Sequence, residues 1–327
     1  MKISVLGAGA WGTALAVLAA RRGHEVALWT RRTALAEGLA ASRENTDYLP
    51  GVTLGPAITP TASLLDTAGD LLLLVVPAQH LRSLCMRLRD VPGAPVICSK
   101  GIEVESGALM SEVVGDALPV RPLAVLSGPN FAAEVARDLP AAATVAVSEP
   151  ALGEAVATAL GGPTFRPYVS DDVIGAQIGG ALKNVLAIAC GIAAGRGFGD
   201  NARAALITRG LAEISRLTVA LGGHAETIMG LSGVGDVTLT CTSTQSRNYA
   251  LGLALGSGET IESLMHGRIT VAEGVATSRA VTQLAARAGV DMPIARATYA
   301  LLHEGADLES TIGAVLSRPF RSEAERR

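Results

Sequence analysis

Apolar positions near the N-terminus follow two periods. Residues 3–6 read as a short apolar strand, and the alanine-rich stretch after Gly12 predicts a helix to Arg22 with Gly23 as its left-handed C-cap. Residues 25–29 read as a second strand. Apolar runs then alternate with helical ones: a strand at 71–76, a helix from about Gln79, and strands at 95–98, 123–126 and 143–147. That rhythm predicts a doubly wound α/β sheet whose ligands lie at the carboxyl ends of the strands, where Pro77, Ser99-Lys100-Gly101 and Ser127-Gly128-Pro129-Asn130 fall. From about Ser170 the strand signals stop. Asp171 and Asp172 open a long helical stretch, and a helix near 202–221 carries Ile207, Leu211, Ile214, Thr218 and Leu221 on one face before Gly222-Gly223.

The turn between the first strand and helix is Gly7-Ala8-Gly9-Ala10-Trp11-Gly12. Gly7 permits a tight turn, Gly9 admits a pyrophosphate to the backbone, and Gly12 lets the helix pack on the strand with its N-terminus facing the anion. This is a dinucleotide-binding fingerprint in its proper strand–turn–helix context. The fold expected is therefore α/β, a Rossmann-like dinucleotide-binding domain over 1–170 followed by a mostly α-helical substrate-binding and catalytic domain over 171–327. A secretory signal is the competing reading of uncharged residues 3–20. The glycines inside that run, and the strand in register behind it, favour a mature N-terminus.

With 327 residues and 49% hydrophobic content, the chain is long enough for two cores. A net charge of −3 and a pI near 6.0 give no broad basic field, which argues against nucleic acid. Cys85, Cys98, Cys190 and Cys241 are widely spaced and read as reduced core thiols, and the five histidines show no metal-ligand spacing. No metal, internal repeat or further membrane-length span is expected. The charged tail from Arg318 is expected to fray.

The second strand ends in Trp29-Thr30-Arg31-Arg32, without the acid that would hold a ribose 2′-hydroxyl. Paired guanidinium groups suit a 2′-phosphate, so NADP is favoured over NAD; both arginines also suit the solvated start of a helix. Lys183 and Asn184 interrupt an otherwise apolar helix, and Lys183 shares a face with the small residues Gly179, Gly180, Ala187 and Cys190. Its ammonium is expected in a desolvated space, where burial lowers a lysine pKa and a carboxylate steadies the charge. A third cluster runs from Gly233-Val234-Gly235-Asp236 through Thr240 to Ser246-Arg247-Asn248, ahead of another helical run. Capping explains Ser246 or Asn248, but an arginine at a helix N-terminus is disfavoured by the dipole unless an anion is present.

Over nearly its whole length the sequence resembles the bacterial NAD(P)-dependent glycerol-3-phosphate dehydrogenase family. The ordered blocks that carry the resemblance are the glycine turn, Ser99-Lys100-Gly101-Ile102-Glu103, Leu126-Ser127-Gly128-Pro129, Gly180-Ala181-Leu182-Lys183-Asn184, the stretch 201–210, Gly233-Val234-Gly235-Asp236 and Ser246-Arg247-Asn248. The resemblance implies a homodimeric cytoplasmic enzyme interconverting dihydroxyacetone phosphate and sn-glycerol 3-phosphate for glycerophospholipid synthesis. It implies Lys183 as catalytic acid with Asp236 balancing it, and Lys100, Gly128, Asn130, Asn184, Thr240, Ser246, Arg247 and Asn248 at the substrate. Cofactor contacts are implied at Gly7, Gly9, Ala10, Trp11, Gly12, Arg31, Arg32, Tyr48, Lys100, Ala132, Arg247, Val271 and Glu273. Ala10 and Asn130 depart from the commoner serine and serine or threonine. A keto-acid reductase of the same architecture, selecting a carboxylate, and a silent NADPH sensor are the rival readings; a sensor needs no proton donor.

Overall fold

The computed structural model describes residues 1–265 and 272–318. In chain order the first part comprises β1 (Lys2–Leu6), α1 (Ala10–Arg21), β2 (Glu25–Trp29), α2 (Thr33–Ser42), β3 (Glu44–Asn45), β4 (Leu49–Thr53), β5 (Ile58–Thr61), β6 (Leu71–Leu74), α3 (Leu81–Arg87), β7 (Ala94–Ile97), α4 (Met110–Ala117), β8 (Ala124–Ser127), α5 (Ala132–Ala136), β9 (Ala141–Val147), α6 (Pro150–Leu160) and β10 (Phe165–Ser170). Helices follow: α7 (Val173–Gly195), α8 (Gly199–Ala220), α9 (Ala225–Ile228), α10 (Asp236–Cys241), α11 (Arg247–Gly256), α12 (Ile261–Met265), α13 (Glu273–Arg287), α14 (Pro293–His303) and α15 (Leu308–Leu316).

The strands are apolar on both sides because both faces of the sheet are covered. Ile3, Val5, Val26, Leu28, Leu71 and Leu73 enter one core, and Leu6, Trp29, Leu72 and Leu74 enter the other, the alternation that period-two strands impose. Sheet order is β10-β9-β8-β7-β6-β1-β2-β5. Without β9 and β10, the parallel strands lie in the 3-2-1-4-5-6 order of doubly wound sheets, and the order reverses between β1 and β6. In sheets of this order ligands bind outside the carboxyl ends of the strands at that reversal.

Two features differ from the sequence expectation. The 143–147 run is antiparallel to β8, because the chain turns back through the short α5 and Asp138, at φ 64°, instead of crossing the sheet. The β8–β9 connection therefore stays at the carboxyl edge, beside the site. Strand β10 had no apolar signal; it is an edge strand carrying Pro167 and mostly exposed or half-buried side chains.

Helix α7 organises the helical part, starting at Asp172, whose side chain accepts from Gly175 N–H. Among the described residues it alone is long and apolar enough to cross a membrane, where the sequence reading expects no such span, and 83% of its apolar window is buried against the rest of the protein. Burial in a core accounts for that composition. Its partner α11 meets it backbone to backbone: side chains at Gly191 and Gly195 would collide with the Tyr249 and Leu253 carbonyls, and side chains at Gly252 and Gly256 with those of Ile188 and Ile192. These pairs advance together, so the two helices run parallel, in phase. On α8, Ile214 and Thr218 of the expected face are buried, and so is the acid Glu213. Glu213 accepts from Ile294 and Ala295 N–H at the start of α14, and burial pushes its carboxyl up to about 7.

Candidate active site

Gly7 follows β1 with φ +129°, and a Cβ there would lie 2.6 Å from the Val75 carbonyl oxygen. Only glycine suits that turn. A side chain at Gly12 would strike the Gly7 carbonyl, whereas one at Gly9 would enter open space. Among the described residues no side chain caps α1, so its first N–H groups and the positive end of its dipole are left for a ligand at the strand ends. These are the requirements of a pyrophosphate cradle, and the residues fit a dinucleotide. Ala10 and Trp11, half-buried, open the helix.

An asparagine that sequence reading missed steadies this turn. Asn45 is fully buried and donates to the Ala8 carbonyl at 3.0 Å and to Thr13 Oγ1 at 2.7 Å. Its partners lie 37 and 32 residues away, and no local pattern marks it. Arg31 is exposed, with no hydrogen bond or ion pair among the described residues. Arg32 pairs with Asp47 at 2.9 Å and lies over the Tyr48 ring at 5.8 Å.

The second centre gathers side chains from four stretches of chain. Gly179 lets a π-helical turn, Leu231–Gly235, press against α7; a side chain there would meet the Ser232 carbonyl. That turn delivers Asp236, wholly buried, beneath Lys183 one helical turn further along α7. Lys183 Nζ donates to Asp236 Oδ1 and, at 3.0 Å, to Thr240 Oγ1. Lys100, from the loop after β7, donates to Asp236 Oδ2 at 2.5 Å and to the Gly128 carbonyl at 2.8 Å. One carboxylate thus holds two ammonium groups, and the trio keeps a net positive charge. Burial brings the Lys183 ammonium down to about 8; Asp236 opposes the shift, and Lys100 adds to it.

Around this trio Asn184 donates to the Lys100 carbonyl at 3.2 Å, and its Oδ1 accepts from Asn248 Nδ2 at 2.9 Å. Asn248 Oδ1 accepts from Gly274 N–H, so the Asn248 amide ties α7 to α11 and α13. Ser246 caps α11 through Tyr249 N–H. Arg247, the first residue of α11, is exposed and has no hydrogen bond or ion pair among the described residues. Asn130 donates to the Ala142 carbonyl at 3.0 Å, and its buried Oδ1 has no partner among the described residues. Ala132 begins α5. Glu273 begins α13 and accepts from Ala78 N–H; burial pushes its carboxyl up to about 7, against the pull of Arg247. Val271 lies outside the described residues.

Asp236→Asn is expected to lower the unfolding free energy by about 3 kcal/mol at pH 7, because it strands the buried Lys183 ammonium with the half-buried Lys100 ammonium beside it. The folded state then disfavours bound protons, so stability rises with pH and the gap to wild type narrows by pH 9. Denaturant titration at both pH values measures this. A variant as stable as wild type at pH 7 would show that the carboxylate does not balance the lysines.

An uncapped helix N-terminus suited to a pyrophosphate, and an acid group poised near pH 8 at the same edge of the sheet, meet the needs of hydride chemistry. The fold and site define a dinucleotide-dependent oxidoreductase. Two family models match the chain, the NAD-dependent glycerol-3-phosphate dehydrogenase N-terminus over residues 2–153 and its C-terminus over residues 172–313. The chain belongs to the NAD-dependent glycerol-3-phosphate dehydrogenase family. It is 52% identical over 326 residues to the glycerol-3-phosphate dehydrogenase (NAD(P)+) of Parvibaculum lavamentivorans, with 98% of each chain covered. To that of Rhodospirillum rubrum it is 54% identical, covering 98% of this chain and 93% of the relative. The crystal structure of the Coxiella burnetii glycerol-3-phosphate dehydrogenase superposes with a TM-score of 0.94 at 37% identity, over 97% of this chain and 99% of that one.

Proposed function

We propose that this enzyme interconverts dihydroxyacetone phosphate and sn-glycerol 3-phosphate, as a cytoplasmic homodimer that provides the glycerol backbone of phospholipids. The observation that carries the substrate is the exposed Arg247 guanidinium, without a hydrogen bond or ion pair among the described residues, at the start of α11 and next to Asn248, which bonds Asn184 beside Lys183. A phosphate there accepts backbone N–H bonds and pairs with Arg247, and Lys100 extends the positive field. A bound nicotinamide cofactor supplies or accepts the hydride at the substrate's middle carbon. In reduction Lys183 gives its proton to the carbonyl oxygen as that carbon gains hydride; in oxidation the neutral amine takes the hydroxyl proton back. Asp236 keeps the amine oriented and lets it change charge while buried. Asn130, held by the Ala142 carbonyl, offers Oδ1 to a substrate hydroxyl. Glu273 and Ala132 flank the cofactor, with Trp11, Ala10 and the glycine turn at its pyrophosphate.

The test is oxidation of NADPH with dihydroxyacetone phosphate, unphosphorylated dihydroxyacetone or a 2-keto acid. Rapid turnover is expected with the phosphorylated ketone alone. Equal turnover of the keto acid would point to a carboxylate-selecting reductase instead.

NADPH is the preferred cofactor in this reading, on the strength of Arg31 and Arg32 after a β2 whose carboxyl end carries no acid. A charge-assisted contact contributes about 1.5–3 kcal/mol, so Arg31→Ala with Arg32→Ala should raise KM for NADPH about tenfold or more while NADH changes little. Steady-state kinetics with both cofactors decide it. An unchanged NADPH constant in the double variant counts against a 2′-phosphate site at these arginines.

A further inference from the structure

At the ribose end of the cofactor crevice, the arginine that the reading above assigns to a 2′-phosphate is already engaged by an acid. Arg32 lies just beyond β2 and pairs at 2.9 Å with Asp47, which stands between β3 and β4. Both side chains are exposed, and an exposed pair of this kind adds little to stability. The acid is nevertheless well placed. Asn45, two positions earlier, is anchored in the core to Ala8 of the glycine turn and to Thr13 of α1, and Tyr48, the next residue, lies under the Arg32 guanidinium. Asp47 is therefore carried on a segment fixed to the pyrophosphate cradle.

We infer that Asp47 is a selectivity-determining counter-charge that weakens the enzyme's preference for NADPH over NADH. A 2′-phosphate can reach Arg32 only by displacing Asp47 or by sharing the guanidinium with it, and in both cases two anions meet at one cation. A 2′-hydroxyl meets no such repulsion. Arg31, which has no partner among the described residues, remains open to the phosphate throughout. The two neighbouring arginines thus play unequal parts, Arg31 giving an uncontested contact and Arg32 a contested one. The inference rests on the assignment of the 2′-phosphate to these arginines.

The experiment measures dissociation constants for NADPH and NADH, and for the fragments 2′,5′-ADP and 5′-AMP, by calorimetry on wild type, Asp47→Asn, Arg31→Ala, Arg32→Ala and the Asp47→Asn, Arg32→Ala double variant. Asp47→Asn should tighten NADPH and 2′,5′-ADP about threefold to tenfold, with NADH and 5′-AMP shifting less than about twofold. Raised salt should shrink the difference. In the Arg32→Ala background, where no guanidinium is left to contest, Asp47→Asn relieves only direct repulsion of the 2′-phosphate, so its effect on NADPH should keep its sign, and a reversal there would count against the inference. Unchanged NADPH affinity in Asp47→Asn, or a ratio that rises only because NADH weakens, would overturn the inference. If Arg32→Ala weakens NADPH and Asp47→Asn does nothing, the inference alone falls; if neither Arg31→Ala nor Arg32→Ala changes NADPH affinity, the 2′-phosphate assignment falls with it.

Discussion

Lys183→Met is expected to lower kcat by about 10²–10⁴-fold while cofactor affinity stays near wild type. Methionine keeps the volume of a side chain that is 9% exposed and removes its proton. The pH profile gives the same group a second signature. With Lys183 held down to about 8, ketone reduction should decline as pH rises through that value, because the acid form is lost. Oxidation of the alcohol should climb through the same range, because the neutral amine is the base. Both limbs should disappear from whatever activity Lys183→Met retains. A folded Lys183→Met enzyme with the wild-type rate would place the acid elsewhere.

Arg247→Ala carries the other large effect, a loss of about two decades or more in kcat/KM for dihydroxyacetone phosphate. A phosphate that takes no part in the chemistry can still hold the carbonyl against Lys183 and the nicotinamide, so its loss should appear in kcat as well as in KM. Unphosphorylated dihydroxyacetone should be turned over slowly, and to the same extent, by wild type and variant. Equal losses on both substrates, or none on the phosphorylated one, would move the anion site away from α11. Stability should change little or improve slightly, because an unpaired guanidinium leaves the positive end of a helix.

The glycine turn was readable in the sequence because its constraint is steric: side chains are forbidden at fixed spacings, so the composition itself records the geometry. Lys183 was readable because a charge inside an apolar helix stands out against its neighbours. From the residues alone its environment was readable only in kind, and the resemblance supplied Asp236 as its partner. That the steadying carboxylate is Asp236, and that Lys100 shares it, depends on contacts across 53 and 136 residues, which no local pattern encodes. Asn248 is a similar case. Its type and position suit either a cap or an anion, and the structure commits its amide to Asn184 and Gly274. The direction of β9 was hidden because an apolar strand has the same alternation whichever way it runs. Strand β10 was hidden because an edge strand buries little.

The glycine-to-glycine contact between α7 and α11 has a consequence for substrate choice. Helices separated by side chains can shift as those side chains change rotamer, but here carbonyl oxygens and Cα atoms themselves set the separation. Lys183 lies about 7.5 Å along α7 from Ile188, whose carbonyl makes the first of these contacts, at 1.5 Å per residue. The parallel register then fixes the start of α11 beside it. Under the roles proposed above, the stretch from proton donor to anion clamp is a rigid gauge. It fits one separation of carbonyl from phosphate, and the enzyme measures the length of its substrate by how closely two helix backbones approach each other.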